Sequence, residues 1–308
     1  MLWIAPHAAP LRPLAPFAVL LLVGFQDKYG HRHVAYYVLL CSLLGSVTVM
    51  SCKGVSTFIN LWIGGQSDAP FDQPVLYGLH ELRLSPRSGP TQDVEWWNTQ
   101  ILAGQHQVGL VDHHRNAVEL VRVEPGATET VVIATGEVVT TDTAGVIGPD
   151  QGATPQWLYE RSTKLTAPGP NVRRLARSVD RSVANLDVLH GLSAAVRDAI
   201  DYLPGITEVD TPADAVLEAA SGVCQDHAHV FVAAARLLGF PARYVSGYLF
   251  VEGGQEEASH AWAEVSVEGL GWVGFDIANQ ISPDGRYVRL AVGLDYREAA
   301  PISGVRRG

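Results

Sequence analysis

Cysteine is scarce in this sequence, and the charge balance is acidic. Three cysteines occur among 308 residues, an odd count that is too small for a disulfide framework. We therefore expect a reducing environment for the main folded part. The formal net charge is −10, and residues 1–70 hold four basic and two acidic residues, so the acidic excess lies in the remainder. An acidic surface repels phosphate, so no nucleic acid is expected as a partner.

Two charge-free apolar runs lie in the first seventy residues, Pro13–Phe25 and Val34–Cys52. The second run has the length of a candidate membrane helix, whereas the first is marginal. We predict a hydrophobic segment over residues 1–70 with one or two membrane helices, and membrane association through residues 13–63. A signal-like segment is an alternative for the first run, although no convincing small-x-small cleavage site follows it.

Short β-rich runs separated by turn residues replace the apolar runs after residue 70. Their turns are marked by the sequences DHHRNA, EPGAT and TGE. Repeated short strands with turn signals predict a β-rich domain, here over residues 71–155. Of the adjacent Trp96 and Trp97, one is expected in the core and one at the surface.

Helical periodicity follows, with apolar residues three or four positions apart in Val172–Val183 and Leu186–Leu203. A later helix is predicted to begin near Cys224, after the flexible Ser221-Gly222 pair, and to stop at Gly239. At a helix start, Cys224 meets unpaired N–H groups and the positive end of the helix dipole. Both favour the thiolate form, which makes Cys224 a candidate nucleophile.

A nucleophilic cysteine needs a base, and the base needs an orienting group. His260 lies near the start of a predicted strand, and Asp276 ends the next one, after a turn at residues 268–271. Their even separation places both on one face of a hairpin that is symmetric about Glu268. Cys224, His260 and Asp276 are therefore the candidate catalytic residues.

A metal ion is the competing use of such side chains. Cys224, His227 and His229 are three potential ligands, but rotation of about 100° per residue places His229 on a different helix face. The adjacent His113 and His114 lie on a turn, where they are expected to point in opposite directions. We expect no metal and no cofactor. An inert buried thiol with a structural histidine is the remaining alternative, and the joint placement of three residues disfavours it.

Four motifs occur in order: SGVCQDHAHVF, LGFPARYVSGYL, SHAWAEV and GWVGFD. Together they resemble the bacterial transglutaminase-like superfamily, and YGLHELRLSPRSGPTQDVEWW resembles the amino-terminal domain that precedes such domains. The resemblance covers about residues 71–308. It implies an α+β, papain-like/transglutaminase-like core over residues 156–308, preceded by the β-rich domain. The hydrophobic segment, helical and membrane-type, comes before both.

The same resemblance implies a role for each candidate: Cys224 as nucleophile, His260 as general base and acid, and Asp276 as the residue that orients His260. Two departures from the family pattern are present. Ile277-Ala278-Asn279 replaces Pro-Thr-Asn after the aspartate, and His227 occupies a position that is often aromatic and apolar. His227 is interpreted either as a neutral exchange, which we favour, or as a residue that shapes the site.

The stretch Lys28–Ile59 resembles part of the NIPA-like magnesium transporters, over at most two helices and without an assignable ion-binding residue. The interpretations are a membrane anchor or fusion remnant, a mis-joined gene model, or a working part of a transporter.

The expected function is cysteine-dependent acyl transfer on amide substrates, as a protease or amidase or in protein-glutamine transamidation, with hydrolysis favoured. The alternatives are a membrane-anchored, non-catalytic transglutaminase-like module and a fusion remnant of a magnesium transporter. The expected partner is a protein or peptide amide substrate. The expected location is that of a cytoplasmic-type catalytic domain, with or without a membrane anchor.

Overall fold

The computed structural model describes residues 74–149, 152, 154–251 and 259–307. The hydrophobic segment predicted over residues 1–70 lies outside these ranges. Within them, none of the helices combines the length and apolar character that a membrane crossing requires.

Thirteen strands and five α-helices make up the described chain, together with a 3-10 helix at Gln156–Glu160. The strands are β1 (Tyr77–Leu82), β2 (Gln92–Leu102), β3 (Gly104–Val111), β4 (Ala117–Val123), β5 (Val131–Thr140), β6 (Val146–Gly148), β7 (Asp201–Tyr202), β8 (Ser221–Gly222), β9 (Ala242–Leu249), β10 (Ser259–Val267), β11 (Gly271–Phe275), β12 (Tyr287–Gly293) and β13 (Ile302–Arg307). The helices are α1 (Pro170–Ser178), α2 (Asn185–Ala199), α3 (Ala213–Ala219), α4 (Cys224–Leu237) and α5 (Tyr296–Ala299).

Helix α4 lies at the centre of the helical part. All residues from Asp226 to Arg236 are buried, so the helix is covered on every side rather than along one stripe. Three alanines follow Val230, Phe231 and Val232 there, and α1, α2 and α3 pack against these residues in one apolar cluster. The chain leaves the helix at Gly239, whose φ of 92° is the left-handed conformation expected after a helix end.

Two helices end earlier than their periodicity predicts. Helix α1 stops at Ser178, and Asp180 then accepts hydrogen bonds from Ser182 in a turn, which ends the helix before Val183. Helix α2 stops at Ala199 because the next residues extend into β7, which pairs with β8. The predictions to Val183 and Leu203 were therefore too long.

The largest sheet has five antiparallel strands in the order β12-β9-β10-β11-β6. Alternate residues of β10, namely Ala263, Val265 and Val267, belong to the same apolar cluster as α4. The helix therefore packs across this sheet, and the start of α4 lies beside β10, which carries His260.

A four-stranded sheet in the order β13-β1-β4-β3 and a two-stranded sheet of β2 and β5 form the β-rich part. The two-stranded sheet packs through Trp97 on a second apolar cluster that includes Tyr244 and Tyr248, and Cys224 packs against the same cluster. Trp96 is 48% exposed. The predicted division between the two tryptophans is confirmed, and the β-rich part reaches the surroundings of the candidate nucleophile.

Two strands cross the predicted boundary between residues 155 and 156. Strand β6 belongs to the large sheet through β11, and β13 completes the first sheet by pairing with β1. The division into residues 71–155 and 156–308 stays a prediction, and these pairings join its two parts.

Candidate active site

Cys224 is the first residue of α4, as the sequence predicts, and Val223 before it is extended. Asp226 stabilises this helix start because its Oδ2 accepts hydrogen bonds from the Val223 N–H at 2.8 Å and from the Thr207 hydroxyl at 2.6 Å. Burial raises the pKa of Asp226, and the hydrogen bonds from Thr207 and Val223 oppose that rise.

Gly222 allows this arrangement through its lack of a side chain. A Cβ at this position would lie 2.7 Å from the Cβ of Asp226. That distance is too short for two carbon atoms, so only glycine lets the carboxylate fold back over the helix start. The Ser221-Gly222 pair thus fixes the position of Cys224, although it does so as strand β8 rather than as a flexible break.

His260 lies in β10 and contacts Asp276, the residue that directly follows β11. The His260 Nε2 to Asp276 Oδ2 distance is 2.7 Å, and the two side chains are 10% and 0% exposed. The sequence predicts this proximity, and the structure brings the two residues together.

Asp276 is itself held by residues that the sequence reasoning did not assign. Its Oδ2 also accepts from the Tyr287 hydroxyl at 2.6 Å and from Asn279 Nδ2 at 2.7 Å. Its Oδ1 accepts from the Asn279 backbone N–H at 3.1 Å. These bonds leave the carboxylate little freedom to rotate, so it presents one fixed oxygen to His260.

The hairpin that joins β10 and β11 is centred one residue later than predicted. Val267 pairs with Gly271 and Ala263 with Phe275, which places the centre at Gly269 rather than at Glu268. His260 and Asp276 are therefore diagonal neighbours, not directly opposite each other. The prediction of a shared face is confirmed because the shift moves the pairing by two residues, which preserves the side-chain alternation.

The electrostatics of the pair favour a charged ring. Burial lowers the pKa of His260, but hydrogen bonds to Asp276 and to Cys224, together with the negative charges of both, raise it to about 10. Burial raises the pKa of Asp276, and the hydrogen bonds and charge of His260 outweigh this and hold it below its usual range.

The two histidines next to Cys224 in sequence face other groups. The His227 ring places Nδ1 2.8 Å from the carbonyl oxygen of Val223 and Nε2 3.2 Å from that of Ile200. His229 accepts the Tyr296 backbone N–H at 3.0 Å, and burial lowers its pKa to about 3. Neither ring is directed at Cys224 as in a shared metal site.

Among the described residues, one group has the composition of a metal site: His113, His114 and Glu298. The expectation that the two histidines point in opposite directions was wrong, because their ring centroids lie 3.9 Å apart. His114 already uses both ring nitrogens, one with the Tyr159 hydroxyl at 2.9 Å and one with Glu298 at 2.9 Å. These contacts give His114 a structural role between the 3-10 helix and α5.

A cavity of about 670 Å³ opens beside the His260–Asp276 pair. It shares Asn279 and Tyr287 with the residues that hold Asp276. Its other lining residues are mostly apolar: Leu249, Phe250, Val251, Ile281 and Arg286. The link between this cavity and the pair is made by Asn279 and Tyr287, since neither Cys224 nor His260 is a lining residue.

Asn279 could have been predicted from a sequence motif, whereas Tyr287 could not. Asn279 stands in the position of the family's Pro-Thr-Asn pattern, so its retention could have marked it. Tyr287 begins β12, far from any motif, and only the sheet order brings its hydroxyl to Asp276.

Comparisons with known proteins agree with this geometry. Residues 173–277 match the model of the transglutaminase-like superfamily, and residues 69–139 match that of the bacterial transglutaminase-like N-terminal region. Residues 14–77 match the model of the magnesium transporter NIPA. The two resemblances stated from the motifs are confirmed.

Individual relatives cover most of the chain. An uncharacterized protein of Mycobacterium leprae (strain TN) is 28% identical over 252 residues, which are 77% of this chain and 90% of the relative. A crystal structure of a candidate cysteine protease from Cytophaga hutchinsonii covers 77% of this chain and 84% of its own, with a TM-score of 0.61 and 17% identity. An Arabidopsis thaliana protein named as a probable magnesium transporter is 36% identical over 62 residues, 20% of this chain and 17% of that protein. The described part thus has a mixed, β-rich fold of the transglutaminase/papain-like type.

Proposed function

We propose that this protein, whose residues 173–277 match the transglutaminase-like superfamily, catalyses cysteine-dependent acyl transfer on amide substrates through Cys224, His260 and Asp276. The observation that carries the proposal is the 2.7 Å contact between His260 Nε2 and Asp276 Oδ2, with Cys224 at the start of α4 interacting with the same ring. A nucleophile, a base and an orienting carboxylate in this order form the minimal set for acyl transfer.

The hydrogen bond to Asp276 fixes the roles of the two ring nitrogens. Because Nε2 is held by Asp276, Nδ1 is the nitrogen that exchanges a proton with the thiol and with the leaving group. The Cys224 thiolate adds to the amide carbonyl carbon, and the carbonyl π electrons move to oxygen. The protonated His260 ring then donates its proton to the leaving amine as the C–N bond breaks, which leaves a thioester on Cys224.

We favour water as the group that resolves the thioester. Cys224 is partly exposed, and the neighbouring Tyr202 is 45% exposed, so solvent reaches the sulfur from this side. His260 then acts as a base toward the water molecule, and the acid product leaves. An amine in place of water gives transamidation by the same steps.

The substrate class is a protein or peptide amide. The cavity beside His260 has apolar walls formed by Leu249, Val251 and Ile281, which suit an apolar side chain flanking the scissile bond. We further propose that residues 156–308 carry the catalysis, that residues 71–155 support them, and that residues 13–63 attach a catalytic part of cytoplasmic type to a membrane.

The test compares the full-length protein with Cys224→Ala and His260→Ala, using the amino-terminal Cys41→Ala as the matched cysteine control. We expect iodoacetamide to label Cys224 faster than the other two cysteines, and casein hydrolysis to depend on Cys224 and not on Cys41. Equal labelling of all three cysteines, with no effect of His260→Ala, contradicts the proposal. Incorporation of dansylcadaverine into casein in place of hydrolysis would assign amine transfer instead.

A second candidate is a membrane-anchored module that does not catalyse. The match of residues 14–77 to a transporter model favours a membrane role for that segment. This alternative predicts binding of the full-length protein to lipid vesicles with no Cys224-dependent turnover of casein or amides. Turnover that Cys224→Ala abolishes rejects it.

A further inference from the structure

Gln92 of the β-rich part forms hydrogen bonds with the backbone of β12, the outermost strand of the large sheet. Its side-chain oxygen accepts the Arg289 backbone N–H at 2.7 Å, and its Nε2 donates to the Arg289 carbonyl oxygen at 2.9 Å. Nε2 also donates to the Arg87 carbonyl oxygen at 2.9 Å. Gln92 is 4% exposed, and both its N–H groups and its oxygen are used. The side chain thus pairs with β12 as the backbone of a neighbouring strand would.

A second contact with the same stretch of chain comes from Thr140, the partner of Gln92 in the pairing of β2 with β5. The Thr140 hydroxyl donates to the carbonyl oxygen of Gly285. Gly285 lies two residues before Tyr287, and Arg289 lies two residues after it. The start of β2 and the end of β5 therefore hold the main chain on both sides of Tyr287. We call Gln92 and Thr140 the β12 clamp.

Tyr287, between the two held positions, contacts the candidate site. Its hydroxyl donates to Asp276 Oδ2 at 2.6 Å, and the same oxygen lies 2.7 Å from His260 Nε2. A tyrosine side chain has only two rotatable torsions, so the position of its hydroxyl depends closely on the position of its backbone. A displaced main chain at Tyr287 would therefore move the hydroxyl away from the carboxylate that orients His260.

Asn116 makes the same kind of contact near the other end of β12. Its Oδ1 accepts the Val292 N–H at 2.8 Å, and its Nδ2 donates to the Val292 carbonyl oxygen at 2.7 Å. Asn116 is 3% exposed, so the two amides are buried alike. The pairing of β12 with β9 shifts register between the two contacted positions. Asn116 therefore matches Gln92 in chemistry and burial, but it does not flank Tyr287.

The β12 clamp differs from a purely structural contact because its two members flank a single residue that contacts Asp276. We propose that Gln92 and Thr140 are positioning residues for the reaction: they fix the backbone of Tyr287, and the Tyr287 hydroxyl then holds the Asp276 carboxylate toward His260. The inference rests on the proposed acyl transfer at Cys224. It assigns to the β-rich part a share in the geometry of the site without contact with the reacting atoms.

The experiment measures casein hydrolysis by the full-length protein and by Gln92→Met, which keeps the length of the side chain and removes the amide. We expect kcat to fall by about 10- to 100-fold and KM to change by less than about threefold, because a displaced carboxylate orients His260 poorly. The matched control Asn116→Leu also removes a buried amide from β12. It should lower the melting temperature as Gln92→Met does and leave kcat within about twofold of wild type.

Thr140 offers a milder pair of variants. Thr140→Val removes the hydroxyl and keeps the shape of the side chain, whereas Thr140→Ser keeps the hydroxyl. We expect kcat to fall by about 3- to 10-fold in Thr140→Val and to stay within about twofold of wild type in Thr140→Ser. Equal kcat values in the two variants would overturn the role of the Thr140 hydroxyl.

A double variant tests whether the clamp acts through Tyr287. In a Tyr287→Phe background, Gln92→Met should lower kcat no further, while its effect on the melting temperature persists. Losses in kcat that multiply in the double variant would show that Gln92 acts independently of Tyr287 and would overturn the inference. A kcat loss of the same size in Asn116→Leu would also overturn it, because the effect would then be one of stability.

A readout without turnover separates this inference from the proposed function. The proton that His260 Nε2 donates to Asp276 should give a downfield proton NMR signal that His260→Ala removes. We expect Gln92→Met to lose this signal and Asn116→Leu to keep it. If the signal behaves so but wild type hydrolyses no casein, or Cys224→Ala hydrolyses it equally well, the proposed function fails while the hold of Gln92 on the pair stands. An active wild type whose kcat and signal are unchanged in Gln92→Met defeats the inference alone.

Discussion

Replacing Asp276 with asparagine removes the charge that faces His260 and preserves the size of the side chain. The carboxylate accepts hydrogen bonds from His260, Tyr287 and Asn279, and it is fully buried. An amide at this position has no negative charge to stabilise a protonated ring, and its NH₂ group cannot accept a hydrogen bond. The variant should therefore lose both the orientation of His260 and its affinity for a proton, with an activity loss of roughly 100- to 10,000-fold.

The size of the stability effect follows from the shifted pKa. The pKa of His260 is about 10 in the folded protein, against an ordinary value of 6.5. At about 1.4 kcal/mol per unit, the favourable interactions of the charged ring are worth roughly 3–5 kcal/mol, shared between Asp276 and Cys224. Because the folded-state pKa is raised, this contribution is complete below about pH 6.5 and is lost as the pH rises through about 10.

Urea unfolding of wild type and Asp276→Asn at several pH values measures this contribution. We expect wild type to be more stable by about 2–4 kcal/mol near pH 6.5, and the difference to shrink steadily toward pH 10. Asp284→Asn is the matched control because Asp284 pairs with Arg286 at the surface and does not contact His260. A difference that stays constant from pH 6.5 to 10 would refute the charged His260–Asp276 pair.

Three further predictions concern groups around the site. Gly222→Ala should lower the free energy of unfolding, measured by urea unfolding, by about 2 kcal/mol or more because the new Cβ meets Asp226. The control Gly191→Ala, on the exposed side of α2, should instead raise the free energy of unfolding by about 0.5–1 kcal/mol. Glu264→Gln should lower the free energy of unfolding by about 3–5 kcal/mol, seen as a lower melting temperature, because Glu264 accepts hydrogen bonds from Arg243 at 2.6 Å and Arg289 at 2.8 Å in a buried network. The control Glu268→Gln, at the exposed turn, should leave the melting temperature unchanged. Equal melting temperatures of the two variants would contradict this reasoning. Tyr287→Phe should lower the free energy of unfolding by about 1–2 kcal/mol. It should also lower kcat while changing KM little, since the loss of the hydroxyl frees the Asp276 carboxylate to rotate. An unchanged kcat would show that Asn279 alone holds the carboxylate.

The placement of Cys224 could be predicted because its signals are local. The Ser221-Gly222 pair before the cysteine and an apolar helical pattern up to Gly239 together define one helix and both of its ends. The proximity of His260 and Asp276 is almost as local, since one hairpin joins them. Only the centre of that hairpin was misplaced, because glycines at positions 269 and 271 both adopt positive φ and move the turn by one residue.

Long-range pairings could not be predicted in the same way. Tyr287 reaches Asp276 only because β12 lies next to β9 in the sheet, and Tyr202 lies opposite Gly222 only because β7 pairs with β8. Two-residue strands such as β7 show no alternation that a sequence pattern could reveal. His227 was interpreted as a neutral exchange because the sequence pattern does not show its contacts with the carbonyl oxygens of Val223 and Ile200, which lie 4 and 27 positions away.

Strands β6 and β13 each pair with a strand from the other part of the chain, and these pairings have a consequence for biosynthesis. Strand β1 lies inside its sheet only when β13 pairs with it, and β13 follows every other described strand in the chain. Until then the hydrogen-bonding edge of β1 is open to other strands. Strand β6 likewise waits for β11, which follows both Cys224 and His260 in the chain. The nascent β-rich part therefore cannot be finished before Cys224 and His260 have emerged, so closure of both sheets and assembly of the candidate site belong to the same event.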